Sequence, residues 1–266
     1  MADYRTETFK VLNGHLDMAV NIAGSGEPIV YLHSAGGFYW DDFLQGLSEK
    51  YTVYAPHFPG TAPGDPDAIS KLEHIWDAVI AYEDLLDAIG LEQVTLMGHS
   101  FGGLLAAEVA AQCRDRIKKL VLIAPAGLYR EDTPYTCADW CSLDFDEIME
   151  VLFYDKEHPR VARRMARPEG EAGDLWDLEF IWTLGCTGKL IWPIPDKGLR
   201  KRIHRVTAPV LVVWGENDKL IPPVYAEEFS NKLPNAEVAL FPKCGHEPPL
   251  EACEELTEKV ESFLAA

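Results

Sequence analysis

A chain of 266 residues can bury the core of one large α/β domain, or at most of two small ones. Its 47% apolar and 25% charged residues lie in the ordinary range for globular proteins, which excludes disorder as the default state. Against 43 Asp and Glu stand 24 Lys and Arg, and the net charge of −19 repels phosphate polymers and anionic membranes. Neither nucleic acid nor a membrane is therefore an expected partner.

In chain order, residues 1–10 mix Asp3, Arg5 and Glu7 with single apolar residues. No basic stretch leads into an apolar core, so a cleaved secretion signal is not expected. Strands are expected at 8–12 and 18–23, and the Asn13-Gly14 between them suits an antiparallel hairpin at a sheet edge. Six further strands are expected at 29–33, 52–56, 94–98, 120–124, 210–214 and 238–241. Several are unbroken runs of Val, Ile and Leu, which fits strands covered on both faces of a parallel sheet. The strongest runs, 120–124 and 210–214, are too short to span a bilayer.

Between the strands, Leu72, Ile75, Trp76, Val79, Leu86 and Ile89 recur at three- and four-residue spacing, forming one face of a long helix that Gly90 terminates. Further helices are expected at 104–109 and 251–264. This alternation implies a mostly parallel eight-stranded sheet flanked by helices, with ligands at the carboxyl ends of its strands.

The alternation stops from 126 to 206, where aromatic residues replace strand-like runs. A structureless loop of that length would be abnormal, so a helical insertion is expected, placed to cover a site as a cap. The expected organisation is a core of residues 1–125 and 207–266 with a cap of residues 126–206. Trp140, Trp182 and Trp192 within it are candidate contacts for an apolar or aromatic substrate portion.

Six cysteines, at 113, 137, 141, 186, 244 and 253, form no CxxC and read as free thiols of a cytoplasmic protein. Cys244 and His246 alone make a poor metal-ligand set, and no metal or cofactor is expected. Nothing in the sequence sets the oligomeric state.

The strongest chemical signal is Gly98-His99-Ser100-Phe101-Gly102, between an apolar strand and a helix. A serine on such a sharp turn needs tiny neighbours, and the helix N-terminus beside it offers free N–H groups and partial positive charge. A serine hydroxyl also needs a base. His246 follows the last strand on a loop opening at the same sheet edge; His99 should point away from the hydroxyl and pack. Asp218, after the strand at 210–214, is the candidate that orients the imidazole, with Glu216 and Asn217 as rivals. An oxyanion hole would use the backbone N–H groups of Phe101 and Ala35, the latter in the small-residue turn His33-Ser34-Ala35-Gly36-Gly37.

The residues at 29–37, 98–103, 209–222 and 244–251 resemble the α/β-hydrolase superfamily, and the likeness runs over almost the whole chain. The resemblance implies an α/β-hydrolase fold with Ser100 as nucleophile, Asp218 (followed by Pro222) as acid, His246 as base and Glu251 as a structural glutamate. Two positions depart from the family pattern. Ser34 stands where a glycine is usual, so its hydroxyl is a candidate extra donor, and His57 stands where an aspartate is common. Serine at position 100 argues against epoxide opening and halide displacement, for which the family typically uses aspartate.

The resemblance implies hydrolysis of a carboxylic ester or lactone of a small molecule through an acyl-enzyme. The alternative is carbon–carbon bond hydrolysis of a dioxo acid, for which Arg163, Arg164 or Arg167 would hold the anion. A binding protein that lost turnover is the third reading.

Overall fold

The computed structural model describes residues 4–135, 143–193 and 195–266. Its strands are Arg5–Val11 (β1), Leu16–Ala23 (β2), Pro28–Leu32 (β3), Thr52–Pro56 (β4), Val94–His99 (β5), Ile117–Ile123 (β6), Val210–Gly215 (β7) and Ala236–Phe241 (β8). They form one eight-stranded sheet in the order β1-β2-β4-β3-β5-β6-β7-β8. The β1–β2 and β2–β4 pairs are antiparallel, and every later neighbouring pair is parallel. Asn13 and Gly14 turn the first hairpin with φ of 54° and 82°, the left-handed values such turns require.

Every expected strand is present: β2, β5, β7 and β8 run longer, β4 keeps the expected bounds, and β1, β3 and β6 begin earlier but end one residue sooner. β6 starts three residues before its apolar run because Lys118 and Lys119 also extend it; Lys119 Nζ donates to the carbonyls of Phe263 and Leu264. β1 is mostly exposed, so its first residues carry no apolar run for a reader to find.

The helices of the first half are Asp42–Ser48 (α1), Ile75–Ile89 (α2) and Phe101–Gln112 (α3). α1, which the sequence pattern did not suggest, starts where the Asp41 carboxylate accepts from Leu44 N–H. α2 closes on Gly90 with φ 82°, a left-handed cap. Between β6 and β7 come Phe145–Leu152 (α4), Pro159–Arg164 (α5) and Glu171–Ile191 (α6), followed by short turns of tighter helix. Val224–Lys232 (α7), Pro248–Glu251 (α8) and Cys253–Ala265 (α9) complete the chain.

The two-residue period of the strands sorts the core onto two faces. Leu96, Leu120, Leu122, Val210 and Val212 pack with α2, α3 and α7; Met97, Val121, Ile123, Leu211 and Val213 pack with α1 and α9. Burying each such side chain contributes about 1.5–3 kcal/mol. The rigid centre formed by β5, β6 and β7 is the platform on which the loops at the carboxyl edge are held. Among the described residues, no helix is long and apolar enough to cross a membrane.

Candidate active site

β5 ends at His99 and α3 begins at Phe101, so Ser100 alone makes the turn, with φ 54° and ψ −114°. That left-handed backbone is rare for a residue with a side chain and costs on the order of 1–3 kcal/mol. Three backbone bonds hold it: Ser100 N–H donates to Ile123 O at 2.9 Å, and Ser100 O accepts from Ala126 N–H at 3.0 Å and from Leu104 N–H at 3.1 Å. Glycine is needed on both flanks. A Cβ on Gly102 would fall 2.1 Å from Leu32 O, and one on Gly98 would fall 2.2 Å from Gly102 O.

The loops after β7 and β8 bring two more side chains to this turn. His246 Nε2 lies 2.8 Å from Ser100 Oγ, and His246 Nδ1 lies 2.7 Å from Asp218 Oδ2. All three residues are buried. Asp218 Oδ2 also accepts from the Trp214 indole N–H at 3.0 Å, while Oδ1 accepts from Leu220 and Ile221 N–H, each at 2.9 Å. A carboxylate so supplied with donors is fixed in place. With Asp218 accepting, Nδ1 carries the proton and Nε2 is free to accept from the Ser100 hydroxyl. Burial works against a charged His246, but the Asp218 charge, its hydrogen bond and the Glu247 charge outweigh it and hold the pKa above the usual histidine value. Sequence rivals Glu216 and Asn217 instead use their backbone N–H groups to tie the turn to Phe241 O and Cys244 O.

Two neighbours fix the His246 loop. His99 does more than pack: its Nε2–H donates to His246 O at 2.9 Å. Burial and the adjacent His246 push its pKa down to about 3, so it stays neutral. Glu251 accepts from Gly245 N–H with one oxygen and from Tyr154 and Asp155 N–H with the other, each at 2.8 Å. His246 N–H itself donates to Leu152 O at 2.7 Å, which ties this loop to the end of α4.

Opposite lies the turn after β3. Its successive carbonyls are each occupied: His33 Nδ1–H donates to Ser34 O at 2.7 Å, Thr187 Oγ1 lies 3.1 Å from Ala35 O, and Arg164 Nη2 donates to Gly36 O at 3.1 Å. His33 Nε2 accepts from Phe58 N–H at 3.0 Å, which fixes the tautomer. Among the described residues, the N–H groups of Ala35 and Phe101 have no backbone acceptor. Ser34, Ala35 and Ser100 line one cavity of about 70 Å³. A smaller cavity of about 30 Å³ shares Ser100 and Leu220 with it and is lined by Phe101, Tyr135, Trp192 and Ile221.

Of the three candidate arginines, Arg163 pairs with Asp42 and Arg167 with Asp174 and Asp177, all at the surface. Arg164 alone lines the cavity at Ser100, stacked over the Tyr39 ring at 5.1 Å. Sequence reasoning missed Asp41 and Glu247 on the same wall. Burial raises Asp41 to a pKa of about 7, and it raises Glu247 to about 7 although His246 and Arg164 pull it back. The position of Glu247 beside His246 was the only signal available.

The aromatic candidates divide. Trp192 lines the smaller cavity. Trp182 is a correction: its indole N–H donates to Gly60 O at 2.9 Å, and it lines neither cavity. Trp140 lies outside the described residues. His57 sits in the core beside Phe38, with neither ring nitrogen bonded, and burial pushes its pKa down to about 4.

A doubly wound sheet with a serine elbow after β5, a carboxylate after β7 and a histidine after β8 defines a class of α/β enzymes. The sequence profile of the Alpha/beta hydrolase family matches residues 29–259, and the chain belongs to that family. It is similar to the 2-hydroxy-6-oxononadienedioate/2-hydroxy-6-oxononatrienedioate hydrolase 1 of Dechloromonas aromatica, at 29% identity over 96% of this chain and 93% of that protein. It is also similar to the pimeloyl-[acyl-carrier protein] methyl ester esterase of Nitrosomonas europaea, at 26% identity over 86% and 92%. Among solved structures, the meta-cleavage product hydrolase from Pseudomonas fluorescens IP01 superposes with a TM-score of 0.77, at 18% identity over 97% of each chain.

Proposed function

We propose that the chain is a serine hydrolase that cleaves an ester or lactone of a small substrate through an acyl-enzyme on Ser100. The observation that carries this reading is the buried relay Ser100 Oγ to His246 Nε2 at 2.8 Å and His246 Nδ1 to Asp218 Oδ2 at 2.7 Å, with Ser100 and His246 lining one cavity. Ser100 Oγ bonds to the carbonyl carbon while its proton passes to His246. The oxyanion is held by Ala35 and Phe101 N–H groups, each such donor being worth a few kcal/mol of transition-state stabilisation, about 2.7–4. His246 then protonates the leaving alkoxide as the C–O bond breaks, and water returns through the same base to free the acid. Residues 126–206 act as the cap over this centre, and the substrate is a small molecule.

A second reading is hydrolysis of a carbon–carbon bond in a dioxo acid, with the same residues and a carbanion in place of the alkoxide. It is favoured by Arg164, the candidate arginine that faces the cavity, with only the Gly36 carbonyl as hydrogen-bond partner among the described residues. The Dechloromonas relative, named for a dioic acid of that kind, supports it equally.

Incubation with a fluorophosphonate probe tests the common core: labelling of the wild type and none of Ser100→Ala is expected. Absence of labelling and of turnover would favour a binding protein instead. p-Nitrophenyl esters and a 2-hydroxy-6-oxodienoic acid then separate the readings. Cleavage of the acid with kcat/KM far above that of the esters, lost in Arg164→Gln through KM, would establish the second.

A further inference from the structure

The wall of the Ser100 cavity carries more hydrogen-bond acceptors than the protein itself supplies with donors. Tyr31 of β3, Asp41 just before α1 and Glu247 beside His246 all line it. Asp41 Oδ1 accepts from Leu44 N–H, but among the described residues its Oδ2 receives no hydrogen bond. Neither does the Tyr31 hydroxyl make one, although Tyr31 and Asp41 are only 4% and 7% exposed. Buried polar groups are ordinarily satisfied, and each exception calls for an explanation.

Glu247 is in the same position for a different reason. Its Oε2 lies 3.7 Å from His99 Nδ1. His99 is neutral and uses its single N–H on His246 O, so only a lone pair faces Glu247. Arg164, the one lysine or arginine on this wall, donates to Gly36 O and stacks over Tyr39, and it forms an ion pair with neither carboxylate.

Charge selects the occupant. With Asp41 and Glu247 both ionised, this wall carries one negative charge more than Arg164 balances. Without a ligand the excess is relieved by a proton, in keeping with the burial that raises both acids to about 7. A bound cation relieves it with both acids ionised, whereas an anion beside Arg164 would need both protonated. A primary ammonium also brings three N–H donors, one each for Asp41 Oδ2, Tyr31 Oη and Glu247. In a cavity of about 70 Å³, that cation and a carbonyl at Ser100 must belong to one unit of few atoms.

Resting on the reading of Ser100 as nucleophile, we propose that Tyr31, Asp41 and Glu247 form a binding site for the ammonium group of a short aminoacyl substrate, an α- or β-amino acid ester whose carbonyl is presented to Ser100.

Isosteric pairs of ligands test this. In the wild type, kcat/KM for glycine p-nitrophenyl ester should exceed that for p-nitrophenyl propionate by about tenfold or more, each value divided by the spontaneous rate. The two esters differ only by ammonium in place of methyl. That ratio should fall towards one in Glu247→Gln and in Asp41→Asn, which keep the shape and remove a charge. Calorimetry on Ser100→Ala protein reads binding without turnover. Glycine ethyl ester should bind about tenfold more tightly than ethyl propionate or the anionic monoethyl malonate, and adding Glu247→Gln should abolish the preference. A wild-type ratio near one, a ratio unmoved by both substitutions, or tighter binding of the malonate would overturn the ammonium site. Binding of the glycine ester that depends on Glu247, without turnover of any ester or dioxo acid, would leave the site standing and overturn the hydrolase reading.

Discussion

The Thr187 hydroxyl of α6 lies 3.1 Å from the carbonyl oxygen of Ala35, across 152 positions of sequence. The same hydroxyl lies 3.1 Å from Thr183 O, so its single proton is shared between the helix and the turn after β3. Thr187 is fully buried. Helix α6 thereby fixes the Ala35–Gly36 peptide, the immediate neighbour of the Ser34–Ala35 peptide whose N–H is proposed to meet the oxyanion. Thr187→Val keeps the shape and removes the donor, leaving a buried carbonyl unpaired at a cost of about 1–3 kcal/mol. The expected outcome is a kcat about tenfold lower with KM little changed; Thr187→Ser should restore most of it. A fall in KM-linked binding alone, read from steady-state kinetics, would contradict this.

Glycine positions separate cleanly by what surrounds them. Gly102→Ala drives a Cβ to 2.1 Å from Leu32 O and 2.4 Å from Leu32 C, which only movement of β3 against α3 could relieve. The expected loss is about 3 kcal/mol or more. Gly185→Ala meets nothing within 4 Å and should stabilise by roughly 0.5–1 kcal/mol, the helix-propensity difference. Thermal unfolding of the two variants beside the wild type would show Tm moving in opposite directions.

Because Asp218 holds His246 above the usual histidine pKa, the imidazole is still protonated at pH values where a free histidine has lost its proton. A protonated base cannot accept from Ser100, so kcat/KM should fall with decreasing pH through a midpoint above 6.5. Asp218→Asn removes the charge and should move that midpoint down while cutting kcat by about 10⁴. An unmoved midpoint in the variant would mean that another group controls the acid limb.

Asp41 is raised by burial from 3.8 to about 7, and Glu247 from 4.5 to about 7. Each binds its proton more tightly in the folded than in the unfolded chain, so each favours folding below pH 4 and loses that contribution as pH rises towards 7. Stability should therefore decline across that window. Asp41→Asn retains an oxygen to accept from Leu44 N–H yet carries no charge. One unit of the separation corresponds to about 1.4 kcal/mol, so a gain of at least that size is expected at pH 8 and none at pH 4. Chemical denaturation at the two pH values checks it; an equal effect at both would reject the charge as cause.

Glu251 accepts three backbone N–H groups, two from the chain just past α4 and one from Gly245 next to His246. Glu251→Gln turns one accepting oxygen into an NH2 that faces a donor. A loss of about 2 kcal/mol is expected, together with a reduced kcat as the His246 loop loosens. Tm and kcat measured on one preparation would test whether the two effects travel together.

How much of this could be read from residues alone follows from what the residues had to do. The elbow was legible because Gly98, Gly102 and Ser100 satisfy a backbone constraint that few other residues meet. The strands were legible where both faces are buried, as at 120–124 and 210–214, and lost their ends where Lys118 and Arg5 meet water. Arg164 was not separable from Arg163 and Arg167, since the first two end α5 and the third follows three residues on, and only the packing of α5 against the turn after β3 selects the one that faces inward. Trp182 looked like a substrate contact by its chemistry, yet its indole closes a backbone bond to Gly60. His99 read as a packing residue, but its bond to His246 O joins residues 147 apart, a closure no local pattern announces.

The left-handed torsion at Ser100 sets fitness and robustness at odds on a single side chain. Glycine there would relax the backbone at once, so Ser100→Gly is the rare replacement expected to make the molecule sturdier while removing its proposed nucleophile in the same step. Wherever descendants of such a chain are released from their chemistry, this turn is the place where decay would begin downhill.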